Sequence, residues 1–194
     1  MSKKITTEQI EQRAKKLGIE IATLRAVLEV ECRGSGFNID ETPVILFERH
    51  VFRQRLIANG KSTIADQAMR KRPDLCSRSA GAYGLPAVQH DRLNEAAQFH
   101  RDSALESASW GLGQVMGYHW KSLNYSSLQI FINAMYQDEA SQLDAMCRFI
   151  EKNNLIAALK RKDWKAFAKG YNGAEYAKNQ YDVKLANAYK KWKK

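Results

Sequence analysis

One carboxylic acid on an apolar helix stripe constrains this chain more than any other feature. Apolar residues recur at Ile21, Leu24, Val27 and Leu28, the spacing of a single buried helical face, and the next position on that stripe is Glu31. Glu29 falls nearly opposite and reads as solvated surface. Gly34-Ser35-Gly36 then stops the helix, which leaves Glu31 in its last turn, near the partial negative charge of the helix C-terminus. Partial burial and the dipole both disfavour the carboxylate and raise its pKa. A carboxyl group that keeps its proton near neutrality is what a general acid requires. The structural alternative is that Glu31 reaches out at the helix edge or pairs with Arg33 or another base.

The 194 residues suit one domain with a sizeable core, and 44% hydrophobic with 27% charged residues is the composition of a soluble globular protein. No apolar run approaches the roughly 20 residues of a membrane span. The N-terminus has no apolar segment of the secretory kind, so the chain is expected to start in a cytoplasm. Cys32, Cys76 and Cys147 are widely spaced, which argues against a disulfide framework and a structural zinc site. Cys32 beside Glu31 reads as a buried inert thiol rather than a nucleophile. His50, His90, His100 and His119 show no metal-ligand spacing, so neither a metal nor another cofactor is expected.

The formal net charge of +10 is unevenly placed: from residue 152 onward there are twelve Lys/Arg against three Asp/Glu. Such a skew suits a polyanionic partner, which includes nucleic acid, anionic lipid and an acidic cell-wall polymer. Solvated surface is the plain alternative. Lys160–Lys162 and Lys190–Lys194 belong to no helix-turn-helix, zinc-finger or RNA-binding signature, so specific nucleic-acid binding is not expected.

Thr6 with Gln9 forms a capping-box pattern for a helix to about Leu17, stopped by Gly18. The Glu31 helix follows. Ile45 to Phe52 is strongly apolar and fits strand or helix equally. Residues 72–86 are rich in turn formers and read as an irregular loop or small hairpin. Asp91 to Ser107 reads as helix, followed by Trp110-Gly111-Leu112-Gly113-Gln114. Ser127 caps one long amphipathic helix through Phe149, and Asp163 caps another that ends at Gly170-Tyr171-Asn172-Gly173. Tyr181, Leu185, Ala188, Tyr189 and Trp192 share a face of the last helix. The fold class is mainly α, as one domain over residues 1–194 with a minor irregular or β element.

Four segments carry a family resemblance: Val30-Glu31-Cys32-Arg33-Gly34-Ser35-Gly36-Phe37, the Ile45–Phe52 block, Ala108-Ser109-Trp110-Gly111-Leu112-Gly113-Gln114, and Gly170-Tyr171-Asn172-Gly173-Ala174. In this order they resemble the N-acetylmuramidase family of phage endolysins and, more distantly, soluble lytic transglycosylases, over roughly residues 16–192. The resemblance implies a lysozyme-like fold, bacterial peptidoglycan as substrate, and Glu31 as the catalytic acid. The family's usual Glu-Ser-Gly-Gly is here Glu31-Cys32-Arg33-Gly34. It also implies an enzyme that waits in the host cytoplasm and reaches the wall at lysis through a holin. No separate wall-binding module is expected within these 194 residues.

Residue chemistry agrees with that expectation. Glycosidic cleavage passes through an oxocarbenium-like state and needs a proton on the leaving oxygen. Gly111 and Gly113 would let backbone approach a sugar closely. Gln114 offers donor and acceptor groups, and Trp110 and Tyr171 offer flat faces, although core packing fits both aromatics equally. Tyr171 and Asn172 would hydrogen-bond the acid or the glycan. Glu48 is the candidate second carboxylate, or else a salt-bridge partner of Arg49, Arg53 or another base; Asp40 and Glu41 are weaker candidates. Transglycosylation to 1,6-anhydro ends needs only the acid, and a basic nucleic-acid-binding protein is the rival from another class. The last helix is expected to pack on the domain, with an anionic membrane surface as the alternative contact for its aromatics and lysines. A monomer is expected.

Overall fold

The computed structural model describes residues 3–32 and 34–193, with the side chain of Glu175 left aside. Arg33, the residue proposed above as a pairing partner for Glu31, and Lys194 of the basic run lie outside the described residues. Among these residues no helix is long and apolar enough to cross a membrane.

Two helices open the chain. α1 (Thr7–Leu17) carries the expected capping box, in which the Thr6 hydroxyl accepts from the Gln9 backbone, and Gly18 closes it in the left-handed region. α2 (Ile21–Glu31) buries Leu24, Ala26 and Val27 and ends on Glu31 itself. The ambiguous apolar block is both kinds of element in succession. Ile45–Phe47 is strand β1, Arg49–Ala58 is helix α3, and Glu48 stands at the junction.

α4 (Ser62–Lys71), an irregular segment and α5 (Gln89–Glu106) lead to β2 (Ala108–Trp110) and β3 (Val115–Met116). The three strands form an antiparallel sheet in the order β1-β2-β3, with Ile45 opposite Trp110 and Ser109 opposite Met116. Phe47, Phe52, Trp110, Phe131 and Phe167 fill the core around it.

The long helix expected from Ser127 to Phe149 is two. α6 (Leu128–Gln137) starts at the Ser127 cap, and α7 (Glu139–Lys152) starts at Asp138, whose extended backbone and side-chain bond to Ser141 N–H make a new N-cap. Glu139, the first residue after the break, is buried on the same side as Leu143 and Met146. α8 (Ile156–Arg161), α9 (Trp164–Asn172), a short 3-10 turn over 174–179 and α10 (Tyr181–Trp192) complete the chain.

α10 lies against α2, with Leu185 and Ala188 buried. Its polar neighbours are clasped to two acids of α2 or its cap. Lys162 and the Tyr189 hydroxyl bond to Glu20, and Lys191 and the Trp192 indole bond to Glu29. The aromatics of the last helix therefore pack on the domain, and several lysines of the basic run are paired within it.

Candidate active site

Glu31 is half-buried at the end of α2, and its Oε1 accepts a hydrogen bond of 2.9 Å from Asn172 Nδ2. Burial pushes its pKa from 4.5 to about 6; the Asn172 bond and the charge of Lys184 oppose that rise. The carboxyl group is thus an acid whose proton is held into the mildly acidic range. Cys32 beside it is held far above the ordinary thiol range by burial and by the charges of Glu31 and Glu139, which makes it unreactive.

Asn172 is placed by Tyr171. The Tyr171 hydroxyl donates to Gly113 O at 2.9 Å, and its ring stacks on Phe167 at 5.4 Å. Burial keeps that hydroxyl protonated. The last turn of α9 is thereby tied to the 111–114 hairpin, and Asn172 is aimed at Glu31.

The hairpin itself rests on α7. Gln142, almost fully buried, accepts from Leu112 N–H at 2.8 Å and donates to Gly36 O at 3.2 Å and Met135 O at 2.8 Å. Glu139 on the same helix accepts from Gly36 N–H at 2.9 Å, the Ser35 hydroxyl at 3.1 Å and Ile5 N–H at 3.0 Å. These bonds hold its carboxylate below the usual range in spite of burial, which acts the other way. One helix face therefore fixes both glycine segments beside the acid. Neither Glu139 nor Gln142 was singled out in the sequence. The available signal was the one that marked Glu31: polar side chains beside the apolar stripe of Leu143, Met146 and Ile150.

The expected sugar-contacting residues separate on inspection. Trp110 is 1% exposed and its indole N–H donates to Leu105 O, so it is a core residue and presents no face to a glycan. The expectation for it is corrected; the centre of a small sheet buries its largest side chain. Gln114 is half-buried but its amide is engaged within the hairpin, donating to Gly111 O at 2.9 Å and accepting from the Ser109 hydroxyl at 2.9 Å. Gly111 and Gly113 make room for α7 and not for a sugar: a Cβ on them would meet Gln142 Cδ at 2.4 Å and Met146 Cβ at 2.7 Å.

Glu48 is not part of the Glu31–Asn172–Tyr171 group. Its backbone N–H bonds to Ser107 O, and its side chain lines a depression of about 390 Å³ with His50, Gln54, Arg55, Met116 and Tyr118. Its carboxylate lies 3.6 Å from His50 Nδ1, and burial raises its pKa, offset by the histidine. The base that pairs with Glu48 is thus His50 and not Arg49 or Arg53; Arg49 reaches Pro73 O. Asp40 caps its own loop by accepting from Thr42 N–H and hydroxyl, and Glu41 pairs with Lys3 at 3.6 Å. Both shape that loop. Among the described residues no group of three or more His, Cys, Asp or Glu is arranged to hold a metal ion.

The model of the N-acetylmuramidase family matches residues 20–193. Among solved structures, the crystal structure of a Burkholderia AP3 phage endolysin matches with a TM-score of 0.93 and 40% sequence identity, covering 100% of this chain and 73% of that one. No curated protein matches.

Proposed function

The chain belongs to the N-acetylmuramidase family, as a peptidoglycan-degrading glycoside hydrolase of the lysozyme type, and from that premise we propose that it cleaves the β-1,4 bond between N-acetylmuramic acid and N-acetylglucosamine with Glu31 as general acid. The observation that carries this reading is the Glu31 carboxyl group: half-buried, with its pKa raised to about 6 and its orientation held by Asn172 at 2.9 Å. Glu31 protonates the glycosidic oxygen as the bond to the muramic C1 breaks, and the ring carbon takes on oxocarbenium character. Asn172 keeps one carboxyl oxygen engaged, so that the other faces the leaving oxygen.

Glu48 serves in this proposal as the base that takes a proton from the attacking water. Its raised pKa makes it a stronger base than an ordinary carboxylate, and His50 at 3.6 Å leaves acceptor sites on it unfilled. The biological setting is that of a phage endolysin, released to the host wall at lysis.

Mass spectrometry of the fragments released from purified peptidoglycan, by the wild type and by Glu31→Gln, tests the reading. Reducing N-acetylmuramic acid ends that vanish with the variant are expected. Anhydro ends would convert the enzyme to a transglycosylase with the same acid. Undiminished release by Glu31→Gln would remove Glu31 from the chemistry.

A further inference from the structure

Three successive aromatic contacts link the corner that holds Glu31 to the depression beside Glu48. The Tyr171 ring meets Phe149 edge-on with centroids 5.5 Å apart, Phe149 meets His119 edge-on at 5.1 Å, and His119 lies against Tyr118 at 4.3 Å. Tyr118 then lines the depression that Glu48 shares with His50 and Arg55, and the Arg55 guanidinium sits 5.7 Å from its ring centroid. The row is assembled from three elements, α9, α7 and the turn over 117–119. Tyr171, Phe149 and His119 are half-buried, whereas Tyr118 is 37% exposed.

The two ends of this row differ in what their polar atoms do. At the Glu31 end the Tyr171 hydroxyl and the Gln114 amide are bonded to hairpin backbone. Further along, the Tyr118 hydroxyl and both ring nitrogens of His119 have no hydrogen-bond partner among the described residues, and Glu48 has one ion-pair partner there, His50. Neither Tyr118 nor His119 leaves a buried orphan: these atoms face solvent, where a ligand can reach them. Here flat apolar rings alternate with unengaged donors and acceptors, which is the combination that a pyranose requires: C–H faces to stack on rings, and hydroxyl and acetamido groups to bond. Burial keeps His119 below the usual histidine range, so near neutrality its imidazole offers one donor and one acceptor.

We propose that the glycan strand lies along the Tyr171–Phe149–His119–Tyr118 row, with the scissile bond between Glu31 and Glu48 and with His119 and Tyr118 holding the sugar on the Glu48 side. This rests on the muramidase reading of Glu31. It assigns substrate-binding roles to two residues, His119 and Tyr118, that no sequence motif marks. Phe149 and the Tyr171 ring form the wall between them and the acid.

The test uses the full chain in two forms. In a Glu31→Gln background, which binds without cutting, the affinity for a soluble tetrasaccharide of alternating N-acetylglucosamine and N-acetylmuramic acid is measured by calorimetry. Tyr118→Ala and His119→Ala are each expected to weaken it by about fivefold or more. Tyr118→Phe, which keeps the ring, retains part of that affinity, and Trp192→Ala on α10 leaves it unchanged. With Glu31 intact, the two alanine variants raise KM on peptidoglycan and leave kcat within about twofold. Affinity and KM unchanged in both alanine variants would overturn the proposal while leaving Glu31 as the acid. A wild-type protein that releases no glycan fragments from peptidoglycan would instead bring down the functional reading beneath it. Circular dichroism of the variants separates lost binding from lost folding.

Discussion

Asn172 donates to Glu31 across 141 residues of sequence, joining the last turn of α9 to the last turn of α2 at 2.9 Å. The bond works against burial. Desolvation favours the neutral acid, whereas an N–H donor favours the carboxylate, and the net result is a pKa of about 6. Removing Asn172 therefore has a defined sign. Asn172→Ala raises the Glu31 pKa further, keeps the acid protonated to higher pH, and moves the alkaline limb of the kcat/KM profile upward. Lys184→Met moves it in the same direction, with an effect that fades in high salt because Lys184 is exposed. A limb that moves down in either variant would mean that another group sets it.

The same pKa makes Glu31 a liability for folding. Its folded value of about 6 lies above the ordinary 4.5, so the folded state holds the proton more tightly than the unfolded chain does. The contribution of Glu31 to stability is therefore fully present below pH 4.5, is lost as pH rises through the window to about 6, and stays lost beyond it. Glu31→Gln removes this loss while its amide oxygen keeps the acceptor for Asn172. The variant is expected to be more stable than the wild type at pH 7 by up to about 2 kcal/mol, and indistinguishable from it at pH 4. Urea midpoints at the two pH values read this directly.

Gln142 is the second dependency of the site. Its side chain bonds three backbone groups, on Leu112, Gly36 and Met135. Gln142→Leu keeps the volume and strands all three in the interior. A cost of about 3 kcal/mol or more is expected. Because the hairpin and the turn after Glu31 lose their common anchor, kcat should fall even at temperatures where the variant is fully folded. Loss of stability with unchanged kcat would show that α7 supports the fold and not the geometry of the acid.

What was legible in the sequence was local. The stripe through Leu24 and Val27, the stop at Gly34–Gly36 and the α9 end at Gly170–Gly173 are set by helix period and by terminating residues, and they located Glu31, Tyr171 and Asn172. What was not legible depends on which surfaces meet. Ile45–Phe47 and Val51–Phe52 are apolar because the strand and the helix both face the core, so periodicity alone could not divide the block. Trp110 has the same appearance in sequence whether it fills a sheet or lines a cleft. Gly111 and Gly113 signal close approach, but only packing reveals that the approaching atoms belong to Gln142 and Met146. The break before Glu139 did carry a signal, an Asp138 cap three residues before Ser141, outweighed by an apolar pattern that continues across it. The row of Tyr118, His119 and Phe149 is built from separate elements and has no local signature.

Glu48 provides the last prediction, because its proposed role as base fixes a stereochemical outcome. A carboxylate that activates water, rather than attacking the sugar itself, delivers the new oxygen to the face opposite the leaving group. The first product observed by NMR should then be the α-anomer of the reducing N-acetylmuramic acid. Glu48→Gln removes the base and keeps the shape, so it should lower kcat with little change in KM, and by less than Glu31→Gln, since water retains some reactivity toward an oxocarbenium ion. The Glu48 pKa lies above the ordinary carboxylate range and is held back by His50, so the acidic limb of the kcat/KM profile belongs to Glu48. His50→Ala removes the partly compensating charge, and the limb moves to higher pH. A β-anomeric first product would exclude Glu48 as a base acting through water and point to a retaining route. Inversion that persists in Glu48→Gln at full rate would leave the water to be activated by another group.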